Sequence, residues 1–403
     1  MKQKIKVGLI VDEYFGALGT AYGGYGFLAR HLIAKFLPNE DIQVEVLLQS
    51  RGNRRQHFFA KKHIIDGITV WQPPSDGWCR SWLDRRDYDV YLSVEITHDI
   101  LRYDNPQRNR RVIHWIQDPT TARDWVDCST MDMFVEPPYW NSALYDTVHS
   151  LAEEGRVRFI SQGHCLNEKA KELYSLRYDV PIEYVPNPVE FDETFPVESY
   201  RIKNQIVFLG RIESVKRGWL FCEAAKLLPE YEFYMVGQTF RYDSSNEKNI
   251  AQYKQGIPNL HFTGLLEGSE KEQILKNSKI LVNTSIREGI PISYLEALSY
   301  GTLLVSGCNA ESLPERFGVF IGKYPGNGFE SVEPLANAVR DLITNEERHK
   351  NLSAAAVNYI RQNHGVKRFQ DTLRPIIEEE YLRRRQKHRY FNLSPAKENR
   401  KAV

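Results

Sequence analysis

The chain has 403 residues, enough for two or three domains with ample cores, and its formal net charge of +1 gives no overall attraction to nucleic acid or membrane. Its five cysteines include no Cys-x-x-Cys pair, which argues against a zinc site or a disulfide framework and favours a reducing cytoplasm. No run reaches the roughly 18 apolar residues of a membrane-spanning helix, so the sequence predicts a cytoplasmic protein that contacts a membrane at most peripherally, at its inner face.

The first half of the chain alternates short apolar runs with stretches of helix length. A strand at 7–11 is followed by a helix at 24–36. Further strands are predicted at 43–49, 67–71, 90–94, 111–116, 133–135, 158–161 and 183–185. Strands separated by helix-length segments indicate a doubly wound parallel sheet.

The second half repeats this alternation after a linker. Strands are predicted at 205–209, 232–236, 260–263, 280–283 and 302–305. The linker is the proline-containing segment from Val185 to Ser199. We therefore expect a first domain at 1–190, a second at 191–370, and a C-terminal helix with a basic tail at 371–403 that packs back on the first domain.

One basic loop in the first half is a candidate for binding an acceptor. Residues 51–63 follow a strand and hold five Lys or Arg and no acid, interleaved with aromatic residues. Arg54 and Arg55 could meet an anionic acceptor such as a phospholipid headgroup, a lipid-linked diphosphate or a phosphorylated sugar. A solvated loop is the alternative. The tail from Arg383 carries eight Lys or Arg against one acid and predicts a polar segment that touches an anionic membrane or nothing.

Three tryptophans follow the next strand. Trp71, Trp78 and Trp82 could stack on sugar rings, although Trp is equally at home in a core. Trp78 is the acceptor candidate among them.

Three other features suggest chemistry but favour a structural role. Asp87-Tyr88-Asp89 has the D-x-D form of metal-dependent sugar transferases of another fold, yet it precedes its strand and so lies at the wrong end for a cleft. Cys165 beside His164 lacks a readable third group that would orient a nucleophile. His114, inside a predicted strand, is expected in the core.

Residues 287–297 place two carboxylates eight positions apart across a loop-to-helix junction. Glu288 belongs to the loop and Glu296 to the helix. The free N–H groups of Ile292 and Ser293 at the helix start form a site for a phosphate oxygen. This arrangement suits a sugar nucleotide, because each carboxylate can accept hydrogen bonds from a pair of hydroxyls, on the transferred sugar or on the ribose.

A second strand-to-helix turn carries cations. Residues 207–218 run from a buried strand through Gly210 and Arg211 to Lys216. Taken alone, Arg211 and Lys216 would be ordinary surface cations. Their position at a strand's carboxyl end, like that of the Glu pair, indicates a ligand site.

These two segments resemble motifs of the family-4 retaining glycosyltransferases of the GT-B fold. Residues 288–297 match E-G-x-P-x-x-x-x-E-A, and residues 210–218 are similar to G-R-x-x-x-x-K-G with one additional Arg before the last Gly. The resemblance is specific over 200–310 and rests on architecture alone in the first half. It implies an α/β protein with two Rossmann-like, doubly wound parallel-sheet domains that face each other across a cleft.

The resemblance also implies roles in the second half. Arg211 and Lys216 would hold the donor diphosphate, Glu288 the hydroxyls of the transferred sugar, and Glu296 the ribose. Donor contacts through the backbone are assigned to Gly210, Gly289 and Ile290.

In the first half the resemblance implies fewer contacts. Gly23 and Gly24, in a glycine-rich loop before the first helix, would meet the donor phosphates or the acceptor. Gln117 takes the position of a His that in many relatives bonds the transferred sugar. Because Gln cannot become cationic, this departure bears on which sugar is bound. Asp118 stays in register as a polar contact in the cleft.

The sequence therefore predicts a retaining, metal-independent hexosyl- or deoxyhexosyltransferase. It would use a nucleoside diphosphate sugar as donor, no cofactor, and a carbohydrate or lipid-linked acceptor, in the synthesis of a cell-surface polysaccharide or glycolipid. Two alternatives stay open: a GT-B sugar-nucleotide epimerase, and a catalytically silent glycosyltransferase subunit that acts by binding a protein.

Overall fold

The computed structural model describes residues 4–49, 58–95, 98–130, 142–196, 204–239 and 244–391. The predicted strand at 133–135 and the acceptor candidates Arg54 and Arg55 lie outside these residues. Two sheets organise the described chain, one in each half, and they confirm the predicted α/β architecture. No helix among the described residues combines the length and apolarity needed to cross a membrane.

The first sheet has eight strands in the spatial order β3-β4-β2-β1-β5-β6-β7-β8. They are β1 Ile5–Val11, β2 Ile42–Leu48, β3 Lys61–Ile65, β4 Ile68–Gln72, β5 Val90–Val94, β6 Arg111–Ile116, β7 Val157–Ser161 and β8 Ile182–Tyr184. All neighbours are parallel except β3 and β4. The central strands β5 and β6 are buried along their whole length, as parallel strands covered on both faces must be.

The second sheet is parallel throughout, with the order β11-β10-β9-β12-β13-β14. Its strands are β9 Gln205–Leu209, β10 Glu232–Val236, β11 Leu260–Gly264, β12 Ser278–Asn283, β13 Leu303–Ser306 and β14 Gly318–Phe320. The strand order reverses between β9 and β12, and in the first sheet between β1 and β5. Ligands of open α/β sheets bind at such switch points, outside the carboxyl ends of the strands.

Helices connect the strands and cover both faces of the sheets. They are α1 Gly24–Phe27, α2 Ala34–Phe36, α3 Asp76–Arg86, α4 Ala122–Ser129, α5 Ser142–Glu153, α6 Asn167–Leu173, α7 Gly218–Leu227, α8 Ser244–Ala251, α9 Gly268–Asn277, α10 Ile292–Ser299, α11 Leu313–Arg316, α12 Val332–Thr344, α13 Glu346–Asn363 and α14 Val366–Phe391. Alternate residues of β9 enter different cores, Ile206 and Phe208 on one side and Val207 on the other. Both faces of the second sheet are therefore packed.

The last helix, α14, packs on the first sheet although it follows the second in sequence. Phe369, Leu373 and Ile377 lie in the same core as β1 and β2, and the Phe369 ring stacks on Trp115 with 6.0 Å between ring centroids. The chain passes between the two halves twice, near Val189 and near His364. The two passes are joined by a hydrogen bond from the Val189 N–H to the His364 carbonyl at 2.8 Å. The domain boundaries at 190 and 370 stay a prediction.

Three local features differ from the prediction. Residues 61–63, expected in a loop, belong to β3, an edge strand whose two adjacent lysines and largely exposed side chains give no continuous apolar run. The three-residue strand β14 was not predicted, since it is too short to show a pattern. The predicted helix at 24–36 contains a π-helical turn, Leu28–Ile33, between α1 and α2.

Candidate active site

The two switch points face each other, so the loops after β1 and β6 meet the loops after β9 and β12. The Arg211 Nη1 donates to Glu13 Oε1 at 3.3 Å. A second link joins Arg287 Nη1 to Asp118 Oδ2 at 2.5 Å. Each pair takes one residue from each sheet. The carboxyl ends of both sheets thus enclose one cleft lined by charged side chains.

An ion pair between Lys216 and Glu288 joins the two predicted motifs. Lys216 Nζ lies 2.6 Å from Glu288 Oε1, and the same oxygen accepts hydrogen bonds from Asn283 Nδ2 at 3.1 Å and Ser285 Oγ at 2.5 Å. Asn283 is the last residue of β12. The hydroxyl of Thr284 holds the turn of Lys216 in place by donating to its carbonyl at 2.6 Å. The switch point of the second sheet therefore fixes both charges.

These contacts keep Glu288 ionised despite its burial. Burial by itself raises the pKa of the carboxyl, but the charge of Lys216 and the hydrogen bonds from Lys216, Ser285 and Asn283 outweigh it and hold the pKa below its ordinary value. All three donors use Oε1. Among the described residues none donates to Oε2, which leaves that oxygen for a ligand.

Arg211 follows Gly210 at the end of β9 and is shared by two carboxylates. Its Nη1 contacts Glu13 Oε1 at 3.3 Å, and its Nη2 contacts Glu213 Oε1 at 3.2 Å. The space in front of Gly210 is open, because a Cβ built there would meet nothing within 4 Å. The additional Arg of the motif, Arg217, is buried and donates to the carbonyls of Tyr324 and Gly326, so it supports the turn and not the cleft.

Glu296 lies inside α10 and faces a cation. Lys271 Nζ is 2.7 Å from Glu296 Oε1 and 4.2 Å from the centre of the Phe27 ring, which belongs to α1. The side chains of Ile290 and Ile292 are buried, and Ser293 is half-buried. For the two isoleucines this leaves the backbone as the group that can contact a ligand.

The other three predicted glycines, Gly23, Gly24 and Gly289, differ in their surroundings. A Cβ on Gly23 would lie 2.0 Å from Glu13 Oε2, whereas one on Gly24 would meet nothing within 4 Å. A Cβ on Gly289 would lie 2.2 Å from the Gln117 carbonyl oxygen. Gly24 is therefore open to the cleft, while Gly23 and Gly289 make room for groups of the first half.

Gln117 and Asp118 lie at the cleft but are engaged by protein groups. The Gln117 amide is 2% exposed and exchanges two hydrogen bonds with the Asn187 amide, at 3.0 and 2.8 Å. The backbone N–H groups of Gln117 and Asp118 donate to Glu95, which also accepts from the Tyr174 hydroxyl. Glu95 thus positions the loop from which both predicted contacts project.

On the acceptor side, the exposed candidate is Trp78, at 56% of its surface. Trp71 and Trp82 pack on each other with ring centroids 5.8 Å apart, and the Trp71 indole N–H donates to Glu45 at 2.9 Å. These two belong to the core cluster of α3. Exposed neighbours on the preceding segment are Phe58, Phe59, Lys61 and Lys62.

The three features expected to be structural have the following surroundings. Asp87 and Asp89 bind the guanidinium of Arg384 at 2.8 and 2.5 Å, and within the described chain no three acidic, His or Cys side chains are arranged to hold a metal ion. Cys165 is exposed on the surface, and partial desolvation together with the Glu311 carboxylate raises the pKa of its thiol to about 11. His114 is buried against Phe159 and Tyr174, and burial lowers its pKa to about 3.

Sequence reasoning missed several residues that the fold brings to the cleft. Glu13 and Glu95 follow β1 and β5, the two strands at the switch point of the first sheet, and that position was the available signal. Glu311 accepts the N–H groups of His164 and Cys165 across the cleft, at 3.1 and 2.9 Å. Nothing in the local sequence marks it.

Comparison with known proteins bears on the family and the fold. The model of the family described as "Glycosyl transferases group 1" matches residues 191–359. A relative from Arabidopsis thaliana, one of the subunits of phosphatidylinositol N-acetylglucosaminyltransferase, is 24% identical over 371 residues, covering 87% of this chain and 78% of that protein.

Solved structures show the same fold. Sucrose-phosphate synthase (tll1590) from Thermosynechococcus elongatus superposes with a TM-score of 0.71 at 13% identity, covering 95% of this chain and all (100%) of that one. Anabaena Alr3699/HepE, solved in complex with UDP, gives a TM-score of 0.66 at 12% identity over 94% of this chain and 100% of its own. Residues 191–359 therefore match the glycosyl transferases group 1, and the chain has the GT-B fold of the solved glycosyltransferases, in agreement with the resemblance that the two motifs showed.

Proposed function

We propose that this protein is a retaining glycosyltransferase that moves a sugar from a nucleoside diphosphate sugar to an acceptor hydroxyl without a metal ion. One observation carries the proposal: Lys216 and Glu288 are paired at 2.6 Å at the switch point of the second sheet. That position gives a cation for the leaving diphosphate and an ionised carboxylate for the sugar hydroxyls. The structure of HepE with UDP-glucose, a TM-score of 0.67 at 12% identity, supports this class of donor.

In this proposal the cations bind the phosphates of the donor and the carboxylates bind its hydroxyls. In the transfer step the bond from the sugar's anomeric carbon to the diphosphate oxygen breaks, and the acceptor oxygen bonds the same face of that carbon. The acceptor proton passes to the departing phosphate, so no protein base is needed. Arg211, Lys216 and the backbone N–H groups of Ile292 and Ser293 stabilise the charge that develops on the phosphate. Glu288 orients the sugar through Oε2, and Glu296 binds the ribose hydroxyls.

The acceptor is proposed to be presented at an anionic membrane surface. Phe58 and Phe59 are exposed beside Lys61 and Lys62, and exposed Trp78 lies on the neighbouring helix α3. Apolar rings beside cations suit the interface of an anionic bilayer. The double variant Phe58→Ser/Phe59→Ser should lose co-sedimentation with phosphatidylserine vesicles. If the wild-type protein did not co-sediment with these vesicles, the result would favour a soluble carbohydrate acceptor.

The donor is tested by thermal unfolding against UDP, GDP, ADP, CDP and dTDP. At about 100 times the dissociation constant, binding adds about 2.7 kcal/mol and raises the midpoint by several degrees. One nucleotide should stabilise the wild type, and Lys216→Ala should lose most of that shift. Lys367→Ala, which removes an 86% exposed lysine of α14, should keep it.

The sugar conjugates of that nucleotide then separate the alternatives. A transferase releases the nucleoside diphosphate, slowly to water and faster with an acceptor, and Lys216→Ala should slow this release by about 3 kcal/mol of activation free energy, roughly 100-fold. An epimerase would change the sugar without release. If neither product forms and no nucleotide binds, the result would favour a catalytically silent subunit, for which a protein partner should then be sought.

A further inference from the structure

Glu13, on the loop after β1, lies where a donor phosphate is expected. Its Oε1 is 3.3 Å from Arg211 Nη1. Its carboxylate also covers Gly23, since a Cβ there would lie 2.0 Å from Oε2 and 2.8 Å from Cδ. The missing side chain at Gly23 therefore accommodates the Glu13 carboxylate in this structure.

This carboxylate is poorly satisfied. Its Oε2 is buried and has no hydrogen-bond partner among the residues that the structure describes. A buried carboxylate oxygen without a donor is costly. Its other oxygen, Oε1, contacts the Arg211 guanidinium, which Glu213 also binds, at 3.2 Å. Glu13 is thus held weakly at a position enclosed by the Gly23 backbone and Arg211.

The carboxylates around this position disfavour the binding of a diphosphate. Among the described residues, the ion pairs here join two cations, Arg211 and Lys216, to three carboxylates, those of Glu13, Glu213 and Glu288. An arriving diphosphate must replace one carboxylate at Arg211. Glu13 is the carboxylate that is displaced more easily, because its side chain is 18% exposed against 6% for Glu213. In addition, its Oε2 has no hydrogen-bond donor among the described residues in the present position, so that moving away relieves an unsatisfied group.

We propose that Glu13 is an internal anion of the donor site, which occupies the position between Gly23 and Arg211 that the diphosphate takes and sets the selectivity for ligands charged enough to displace it. This inference rests on the proposed function. Donor binding turns Glu13 away from Arg211 and exposes Gly23, beside the already open Gly24, to the phosphates. A nucleoside monophosphate that does not reach Arg211 leaves Glu13 in place.

Calorimetric titration tests the inference with the wild type, Glu13→Gln and the control Glu168→Gln, whose parent side chain is 88% exposed. The ligands are UDP, GDP, ADP, CDP and dTDP, each compared with its monophosphate. Removing one negative charge beside the diphosphate should tighten binding of the diphosphate about tenfold and change that of the monophosphate little. Equal or weaker diphosphate binding by Glu13→Gln would overturn the inference while leaving the proposed function intact. Binding by neither protein would overturn both.

A ligand-free measurement tests the geometry separately. Gly23 has φ −97°, which alanine can adopt, so the cost of Gly23→Ala should come from the clash with Glu13. In a double-mutant cycle of unfolding free energies, that cost should fall in the Glu13→Ala background. Gly24→Ala, built into open space, should show no such coupling. Additive effects for Gly23→Ala and Glu13→Ala would overturn the inference whatever nucleotide binds.

Discussion

At the residue scale, the buried carboxylates of the cleft differ in charge because their surroundings differ. Glu288 has a lysine and two neutral donors, which outweigh burial and lower its pKa. For Glu95 burial dominates, and three hydrogen bonds from Tyr174, Gln117 and Asp118 only partly offset it, so the pKa is raised to about 7. Glu288 therefore adds stability that is lost as the pH falls below the ordinary carboxyl range, and Glu95 behaves in the opposite way.

Glu95→Gln should remove a pH dependence of stability. Between the ordinary value of 4.5 and about 7, the folded protein holds a proton on Glu95 that the unfolded chain releases, so the free energy of unfolding falls as the pH rises. Across this window the wild type should lose about 3 kcal/mol relative to Glu95→Gln, whose amide oxygen still accepts from the loop. Urea unfolding from about pH 5 to about pH 8 measures the difference.

The exposed-site variant Glu168→Gln serves as the control for this series and should run parallel to the wild type. If the difference in unfolding free energy between the wild type and Glu95→Gln stayed constant over this pH range, the titration could not be assigned to Glu95.

At the scale of elements, α14 completes the core of the first half. Phe369, Leu373 and Ile377 recur every four residues on one helix face and are all buried in that core. The buried pair of Arg111 Nε and Glu380 Oε2, at 2.7 Å, ties the same helix to β6. The first half therefore depends on a segment from the end of the described chain.

Leu373→Ala should destabilise the protein by about 3 kcal/mol, because it leaves a cavity between α14 and the first sheet. Leu382→Ala on the same helix is the matched control. Its parent side chain is 57% exposed, so the change should cost under about 0.5 kcal/mol. Urea denaturation followed by tryptophan fluorescence reports on this core through Trp115. Equal effects of the two variants would contradict the packing of α14.

At the scale of the whole molecule, polar contacts close the cleft. The pair of Arg287 with Asp118 is supplemented by the Arg287 guanidinium, 5.6 Å from the centre of the Trp125 ring. Lys323 Nζ lies 3.2 Å from Asp127 Oδ2 on the same side. Such contacts are weaker than an apolar interface, so hinge opening at the two crossings near Val189 is the expected motion.

Arg287→Ala should shift the protein toward an open cleft, because it removes both the ion pair and the ring contact. Small-angle X-ray scattering should then give a larger radius of gyration, and the nucleotide that binds should reduce it. Arg340→Ala is the control, since Arg340 pairs with Glu230 at 3.4 Å within the second half. An unchanged radius for Arg287→Ala would show that other contacts hold the cleft closed.

Much of the fold was predictable because its signals are local. The predicted strands at 90–94, 111–116, 205–209 and 232–236 coincide with β5, β6, β9 and β10, since buried parallel strands are unbroken apolar runs between turn residues. The edge strand β3 and the short β14 lack such runs and escaped prediction. Glu288 was identified from its position in the carboxylate pair and Lys216 from the family resemblance, but their pairing, 72 positions apart, was not predicted.

By itself the sequence determined the α/β class, the two strand-to-helix turns with their charges, and the resemblance to GT-B glycosyltransferases. Each of these is encoded within about ten neighbouring residues, by the spacing of the apolar residues and by the positions of glycine, proline and charged residues. Only the tertiary structure decided which groups meet across the cleft, such as Glu13 with Arg211, 198 positions apart, and Asp118 with Arg287, 169 apart. Those contacts depend on strand order and on how the two sheets face each other, which no local pattern encodes.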